Sequence, residues 1–556
     1  MVNNKTNLKF KMKFWQLNLL TTVFFLLVYN IKLWQNIFEI VNPQGVAQYL
    51  FIVSIVLLLF IIINLILNLL CYKYSYKLIY LILFLGSASC LYFILQYNIL
   101  IDRDMIQNII ETNPAEAQDL INSKLIMYML VLGVIPTFAL TRITIQFGTV
   151  KQAFLSRLKV FAFSLLTILG LLYLNYPSYA SLARNNRHLS HLIAPTNFIF
   201  ASISYIKQQL KSSNMPFKVI TQGTKLDSSW ENIKNKTVLV LVIGETARSD
   251  RFGINGYNKQ TTPYLSNREI IDFTETYSCG TSTAISLPCI FSHLDRKSYS
   301  YNIAKNTENL LDFFVKTNFS VQWRDNNTGC KGICNRTDKV DLTHVEGSSF
   351  CESGECFDEI LLDNLKNQIL ENANNQIIVL HQKGSHGPAY YLRYPKAFEK
   401  FKPVCKSNQL QDCSQLELND AYDNTILYTD YFLDKAINVL EKLPANYNSS
   451  LIYISDHGES LGENNLYLHG TPYFMAPDAQ THVPFFTWMS QSFTHAFAIN
   501  TSCLKDKQNL TFSHDNFFHS VLGLMHVDTP VYDADLDVFS SCKQADLIVS
   551  VNQTTL

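Results

Sequence analysis

The sequence predicts a membrane α-helical domain of five transmembrane helices, followed by an α/β domain whose mostly parallel sheet is covered by helices on both faces. Three observations predict this. Up to about residue 176 the chain is dominated by Leu, Ile, Phe and Tyr, in five long apolar stretches. Beyond that point it turns polar and Asn-rich, and β-branched runs alternate with helical patterns, as in a parallel sheet. Two of those runs, at 240–248 and 451–459, end abruptly in acidic or imidazole side chains.

The apolar stretches cover about 14–35, 47–70, 78–100, 124–141 and 159–176, almost without internal charge. Most reach the roughly 20 residues that a helix needs to cross a hydrocarbon core. Lys5, Lys9, Lys11 and Lys13, then Lys73 and Lys77, then Arg142, Lys151, Arg157 and Lys159 fall on one side by alternation. That side is the cytoplasm, because basic residues stay inside. The loop at 36–46 carries no Lys or Arg, as an outside loop should. Five spans then put everything after residue 176 outside. The first stretch is too long for a cleavable signal and reads as a retained anchor.

Cysteine usage is an independent reading of the same topology. Ten of the 12 cysteines lie in the polar part, as close neighbours: Cys279 and Cys289, Cys330 and Cys334, Cys351 and Cys356, Cys405 and Cys413, Cys503 and Cys542. Neighbour pairing predicts five local disulfides in an oxidising compartment. The rival, a zinc-thiolate site, needs a cytosolic placement that the topology contradicts. Lys plus Arg and Asp plus Glu both number 45, so no basic excess exists to neutralise a nucleic acid.

Between the third and fourth spans, Met105, Ile106, Ile109 and Ile110 recur at helical spacing before Asn113-Pro114. Two short amphipathic helices at the membrane surface are expected there. The chain divides into a five-span domain (1–176), a bridging helix and linker (177–232) and an outer α/β domain (233–556). Strands are expected at 237–243, 319–323, 376–381 and 451–455, and helices at 307–316, 358–371 and 420–442.

In an open α/β sheet, ligands gather at the carboxyl ends of the strands. Strands ending in Glu245 and in Asp456-His457 therefore bring three metal-type ligands to one edge. Oxygen and imidazole donors together suit zinc, or less specifically another divalent ion. The segment Cys279-Gly280-Thr281-Ser282-Thr283-Ala284 supplies hydroxyls bracketed by cysteines. A disulfide holds such a loop rigid, and a metal can activate one of its alcohols as a nucleophile. The residues by themselves do not choose among Thr281, Ser282 and Thr283.

Gly244-Glu245-Thr246-Ala247-Arg248, the Cys-Gly-Thr-Ser-Thr-Ala run and Ser455-Asp456-His457-Gly458-Glu459, in that order behind five spans, resemble the phosphoethanolamine transferases that modify lipid A. That group includes the mobile colistin-resistance enzymes, and its outer domain is sulfatase-like, of the alkaline phosphatase superfamily. The resemblance implies that Glu245, Thr283, Asp456 and His457 bind one zinc ion, with Thr283 the nucleophile. It implies that His386 and His469 contact the transferred headgroup or a second metal, and that Asn327, Thr328 and Lys331 hold phosphate. Glu459 would face the headgroup amine, and Asn108, Thr112 and Glu116 the lipid. Ile285 departs from the pattern, standing where some relatives carry an aromatic residue.

The reaction so implied moves phosphoethanolamine from phosphatidylethanolamine to lipid A through a phosphoethanolamine-threonine intermediate. A monomer in the bacterial inner membrane, with its catalytic domain in the periplasm, is expected. The alternatives are the same chemistry on a core sugar, glucan or protein, or a glycerolphosphate transferase of the lipoteichoic acid synthase type. A sulfatase proper lacks its nucleophile motif here, since Pro288-Cys289-Ile290 does not supply it.

Overall fold

A computed structural model describes residues 11–112, 114–352 and 355–543. The described chain forms two compact units. One runs to Ile106 and resumes over Ile121–Ile206; the other comprises Gln107–Leu120 and the chain from Lys207 onward.

The first unit is helical. Val46–Leu70, Tyr76–Tyr97, Ser123–Arg142 and Val150–Asn185 are each long and apolar enough to cross a membrane. A fifth span is available from Phe14–Tyr29 and Ile31–Val41, which meet at a bend of 65°. The first apolar stretch is thus not a straight helix over 14–35. Asn30 causes the break: its Nδ2 donates to the carbonyls of Phe25 (2.8 Å) and Ala194 (3.0 Å), and its Oδ1 accepts from the Ala194 N–H (3.0 Å). The last span runs past residue 176 to Asn185, with a kink at Asn175 (φ −127°, ψ 23°). Pro177, two residues on, has no N–H to give the carbonyl one turn back, so the helix opens there. Arg103–Glu111 and Pro114–Leu120 are the two short helices expected between the third and fourth spans. A 3-10 turn at Arg187–Leu192 and a helix at Thr196–Ser213 follow the last span.

The second unit is built on one seven-stranded sheet. We label its strands β1 (Lys236–Gly244), β2 (Ile270–Asp272), β3 (Ser320–Asp325), β4 (Asp338–Asp341), β5 (Gln376–His381), β6 (Tyr447–Ser455) and β7 (Phe485–Met489). Their spatial order is β2-β7-β6-β1-β5-β3-β4. The run from β6 to β4 is parallel, and β7 pairs antiparallel with both β6 and β2. The sheet is therefore mostly parallel, as expected.

Strand β1 is buried from Thr237 onward, which is why it reads as an unbroken apolar run. Its side chains alternate between two separate cores. Leu239, Leu241 and Ile243 pack with Ile377, Val379, Ile452 and Ile454 against Leu287, Phe313 and Phe517 of helices on one face. Val238, Val240 and Val242 pack with Ile378, Leu380, Leu451 and Tyr453 against Leu365, Ile369 and Phe432 on the other. Each fully buried aliphatic side chain contributes about 1.5–3 kcal/mol, so the sheet edge is a rigid platform.

Helix boundaries follow caps. The helix expected from 420 begins at Gln415, because Ser414 and Glu417 form a reciprocal capping box. The expected 358–371 helix divides into a 3-10 turn, Asp358–Leu362, and an α-helix, Leu365–Glu371, because Asn364 adopts a positive φ of 54°. Five disulfides join the cysteine neighbours as the spacing predicts.

Candidate active site

Strands β1 and β6 are parallel neighbours, with Gly244 in register with Ser455. The next residues, Glu245 and Asp456, therefore leave the sheet side by side. The Asp456 N–H donates to the Gly244 carbonyl at 3.0 Å. Thr246 turns the chain away with φ +52°, a sparsely populated conformation for a β-branched residue. The turn is held by its N–H on Asp456 Oδ1 (3.2 Å) and by the Tyr422 hydroxyl on its carbonyl (2.6 Å). Local strain at a sheet edge, over-determined by its surroundings, is common at functional sites.

Thr283 opens the helix Thr283–Ile290, inside the loop closed by the Cys279–Cys289 disulfide. Its hydroxyl donates to Glu245 Oε2 at 2.9 Å and lies 3.4 Å from His457 Nε2. That nitrogen is 3.4 Å from Glu245 Oε1 and 3.5 Å from Asp456 Oδ2. Thr281 instead gives its hydroxyl to the Thr471 carbonyl at 2.6 Å. So the structure separates two of the hydroxyls that the sequence left equivalent, and it puts Thr283 at the ligand cluster.

This cluster fits a divalent cation on its own chemistry. Glu245, Asp456 and His457 are fully buried and offer three ligand atoms within 4.8 Å of one another. Glu245 Oε1 and Asp456 Oδ2 are buried with no hydrogen-bond donor among the described residues. A buried carboxylate oxygen without a partner is costly, and coordination removes that cost. The His457 Nδ1–H donates to the Gly458 carbonyl (2.9 Å), which leaves the Nε2 lone pair facing the cluster. Burial, with His469 nearby, lowers the His457 imidazole to about 3, so it is neutral and able to ligate. Burial and the adjacent Glu245 charge push the Asp456 carboxyl far above its usual range. Burial acts on Glu245 in the same sense, but the imidazole rings around it offset burial, and its carboxyl is held low. Two carboxylates this close ionise together only with a cation between them.

Both parts of the chain resemble known proteins. Residues 237–527 match the Sulfatase family, and residues 59–210 match the family described as Phosphoethanolamine transferase EptA/EptB. The chain is 40% identical over 462 residues to the phosphoethanolamine transferase EptA of Escherichia coli (strain K12), covering 83% of this chain and 84% of the relative. The chain belongs to the phosphoethanolamine transferases. It is also 37% identical over 420 residues to the phosphatidylethanolamine transferase Mcr-1 of Escherichia coli, covering 73% of this chain and 76% of that one. The integral membrane lipooligosaccharide phosphoethanolamine transferase A of Neisseria meningitidis superposes with a TM-score of 0.92 at 36% identity, over 96% of this chain and all of that one (100%).

The remaining residues that the family resemblance singles out fall into three groups. His469 and Glu459 join His457 in a second buried group with metal-ligand spacing. The His469 ring lies 4.6 Å from His457 and 5.4 Å from His386, between ring centroids. Glu459 faces no open space: its Oε1 accepts from the Tyr390 hydroxyl (2.8 Å) and its Oε2 from His469 Nδ1–H (2.9 Å). His386 sits on a loop that crosses directly over Glu245. Gly384 there has φ +53°, and a Cβ would lie 2.7 Å from the Glu245 carbonyl oxygen, so only glycine fits. The buried Asp358 carboxylate clamps the same loop through the N–H groups of Lys383 (2.8 Å) and Gly384 (3.0 Å).

In the second group, Lys331 donates its Nζ to the carbonyls of Thr328 (3.1 Å) and Glu111 (3.2 Å). Asn327 is turned the other way: its Nδ2 donates to Glu245 Oε2 at 2.6 Å. In the third group, Asn108 and Thr112 are one turn apart, the Thr112 hydroxyl donating to the Asn108 carbonyl at 2.6 Å. Their segment is fastened near the site by the Lys331–Glu111 bond and by the Arg393–Asp119 ion pair. The side chain of Glu116 lies outside the described residues. Sequence reasoning missed His381, Asp325 and the strained Thr246. The signal for the first two was present: strands β3 and β5 also end in charged or imidazole residues.

Proposed function

We propose that the chain transfers phosphoethanolamine from phosphatidylethanolamine to lipid A, with Thr283 as the covalent nucleophile and zinc as the resident ion. The observation that carries this reading is the Thr283 hydroxyl hydrogen-bonded to Glu245 beside two carboxylate oxygens that lack donors. Glu245, Asp456 and His457, with the Thr283 oxygen, would hold the ion. When bound, zinc supplies a lowered hydroxyl pKa and a polarised phosphate oxygen.

The chain's own residues do the rest. The helix Thr283–Ile290 and the Cys279–Cys289 closure hold the Thr283 oxygen in one place, so its attack on phosphorus needs no loop ordering. The new bond joins Thr283 Oγ1 to phosphorus, and the bond to the glycerol oxygen breaks. The threonine proton passes by way of Glu245 Oε2 to the departing glycerol oxygen, so diacylglycerol leaves as a neutral alcohol. In the second step a phosphate oxygen of the acceptor attacks the same phosphorus, the bond to Thr283 Oγ1 breaks, and Thr283 leaves with the proton that the acceptor phosphate gives up. Lys331 offsets charge on the transferring group, and His386 and His469 line the headgroup side. Donor and acceptor are both lipids, which gives the membrane spans their purpose. The catalytic domain lies in the periplasm and the spans in the bacterial inner membrane. The product carries an extra ammonium, which weakens attraction for cationic peptides.

Fluorescent phosphatidylethanolamine given to the purified protein tests the donor, and mass spectrometry of lipid A from expressing cells tests the acceptor. Diacylglycerol release together with phosphoethanolamine-bearing lipid A is expected. Diacylglycerol release with unmodified lipid A would move the acceptor to a core sugar, glucan or protein. No diacylglycerol at all would overturn the donor.

A further inference from the structure

The carboxyl edge of the sheet carries a second line of polar side chains, leading away from the ligand cluster. Strands β1, β5 and β3 are consecutive neighbours, with His381 in register with Ile243 on one side and with Asp325 on the other. His381 is fully buried, its ring edge-on to Trp323 at 5.3 Å. Its Nδ1–H donates to Asp325 Oδ1 at 2.7 Å. The same oxygen accepts the Asn327 backbone N–H at 3.2 Å, which fixes the loop after β3. On the other side of the ring, His381 Nε2 faces Asn327 Nδ2 at 3.3 Å.

Donor and acceptor roles along this line are forced. A carboxylate only accepts, so Asp325 requires the proton on Nδ1. Glu245 Oε2 is likewise an acceptor, so the NH2 end of the Asn327 amide is the end that faces it, and the same nitrogen meets His381 Nε2 as an acceptor. That orientation aims the second amide proton at Glu245 Oε2, 2.6 Å away. Glu245 Oε2 thereby accepts from Asn327 and from Thr283, while Oε1 has no donor and turns to the cluster.

We propose that Asp325 and His381 form a positioning relay that acts through Asn327 to select which Glu245 oxygen is left for the ion. This assigns Asn327 to the carboxylate and away from the phosphate that the family resemblance gave it. The relay rests on Glu245 being an ion ligand, as under the proposed function. Outer partners of metal ligands fix ligand orientation in this way, and losing one typically costs about 10- to 100-fold in metal affinity.

The test measures zinc affinity of the full-length protein by chelator competition, without substrate, alongside transfer kinetics. His381→Phe keeps the ring shape and removes both nitrogens; Asn327→Asp puts a second carboxylate against Glu245. Both should weaken zinc binding about 10- to 100-fold, with donor KM unchanged. His381→Gln, which offers Asp325 a donor and Asn327 an acceptor, should restore most of that affinity. Should His381→Phe fail to fold, Asn327→Asp in the loop carries the test. Wild-type zinc affinity in folded variants overturns the relay. So does an Asn327→Ala protein whose donor KM rises while its zinc affinity holds. A wild type that transfers nothing, yet whose variants lose zinc, overturns the proposed function and leaves the relay standing. A wild type that holds no divalent ion overturns both.

Discussion

Two groups of ligand-type side chains share His457 and are finished in opposite ways. In the first, Glu245 Oε1 and Asp456 Oδ2 are buried with no donor. In the second, both oxygens of Glu459 are already satisfied, by the Tyr390 hydroxyl and by His469. A cation bound at the first group would recover the cost of burying those two oxygens. The second is complete without one, and Glu459 acts there by orienting the His469 ring. Ligand residue types alone do not distinguish these roles; the count of unmet lone pairs does.

The largest expected effect is at the hydroxyl that borders the first group. Thr283→Ala should abolish headgroup transfer while the melting temperature stays near wild type, as read by lipid mass spectrometry and calorimetry. Next come Glu245→Ala and Asp456→Ala. Each should reduce bound zinc to near zero by elemental analysis, and a full metal complement in either would break the comparison. Glu459→Gln sharpens it from the other side. Zinc content should hold, while kcat/KM falls roughly tenfold, the worth of about 1.4 kcal/mol and of one charge-assisted hydrogen bond. Replacing Cys279 and Cys289 together with Ser should lower unfolding stability by about 2–4 kcal/mol, measured by denaturant titration.

The smallest effect lies outside both groups. Asp272, at the sheet edge, has a buried Oδ1 without a donor among the described residues, and burial pushes its carboxyl up from 3.8 to about 7. A raised carboxyl favours the protonated folded form. Its stabilisation is therefore full below about pH 4 and is lost as pH rises through about 7. Asp272→Asn removes this contribution, so its melting temperature relative to wild type should rise between about pH 4 and 7; a difference that does not change with pH would contradict the assignment.

The features legible in the sequence were those with local or periodic causes. Strand β1 announced itself because both its faces are buried, so every position from Val238 to Ile243 is apolar. The disulfides were legible because each cysteine's partner is near in sequence. Glu245 and Asp456-His457 were legible because polar residues follow those runs without a gap. The bend at Asn30 was not, since it depends on bonds to Ala194, 164 residues away. Nor was the direction of Asn327, which requires β3, β5 and β1 to be neighbours. Strand β7 is short and antiparallel, and its placement depends on pairing with β6 rather than on its own pattern. The difference between Thr283 and Thr281 was not legible either, since it depends on the distant Thr471 carbonyl, which accepts the Thr281 hydroxyl.

The most direct measurement is a quenched reaction with phosphatidylethanolamine, followed by peptide mass spectrometry of the Cys279–Cys289 loop. The account predicts one phosphoethanolamine group on Thr283, absent when Glu245 is replaced by Ala. A label on Thr281 or Ser282, or undiminished transfer by a folded Thr283→Ala protein, would contradict it.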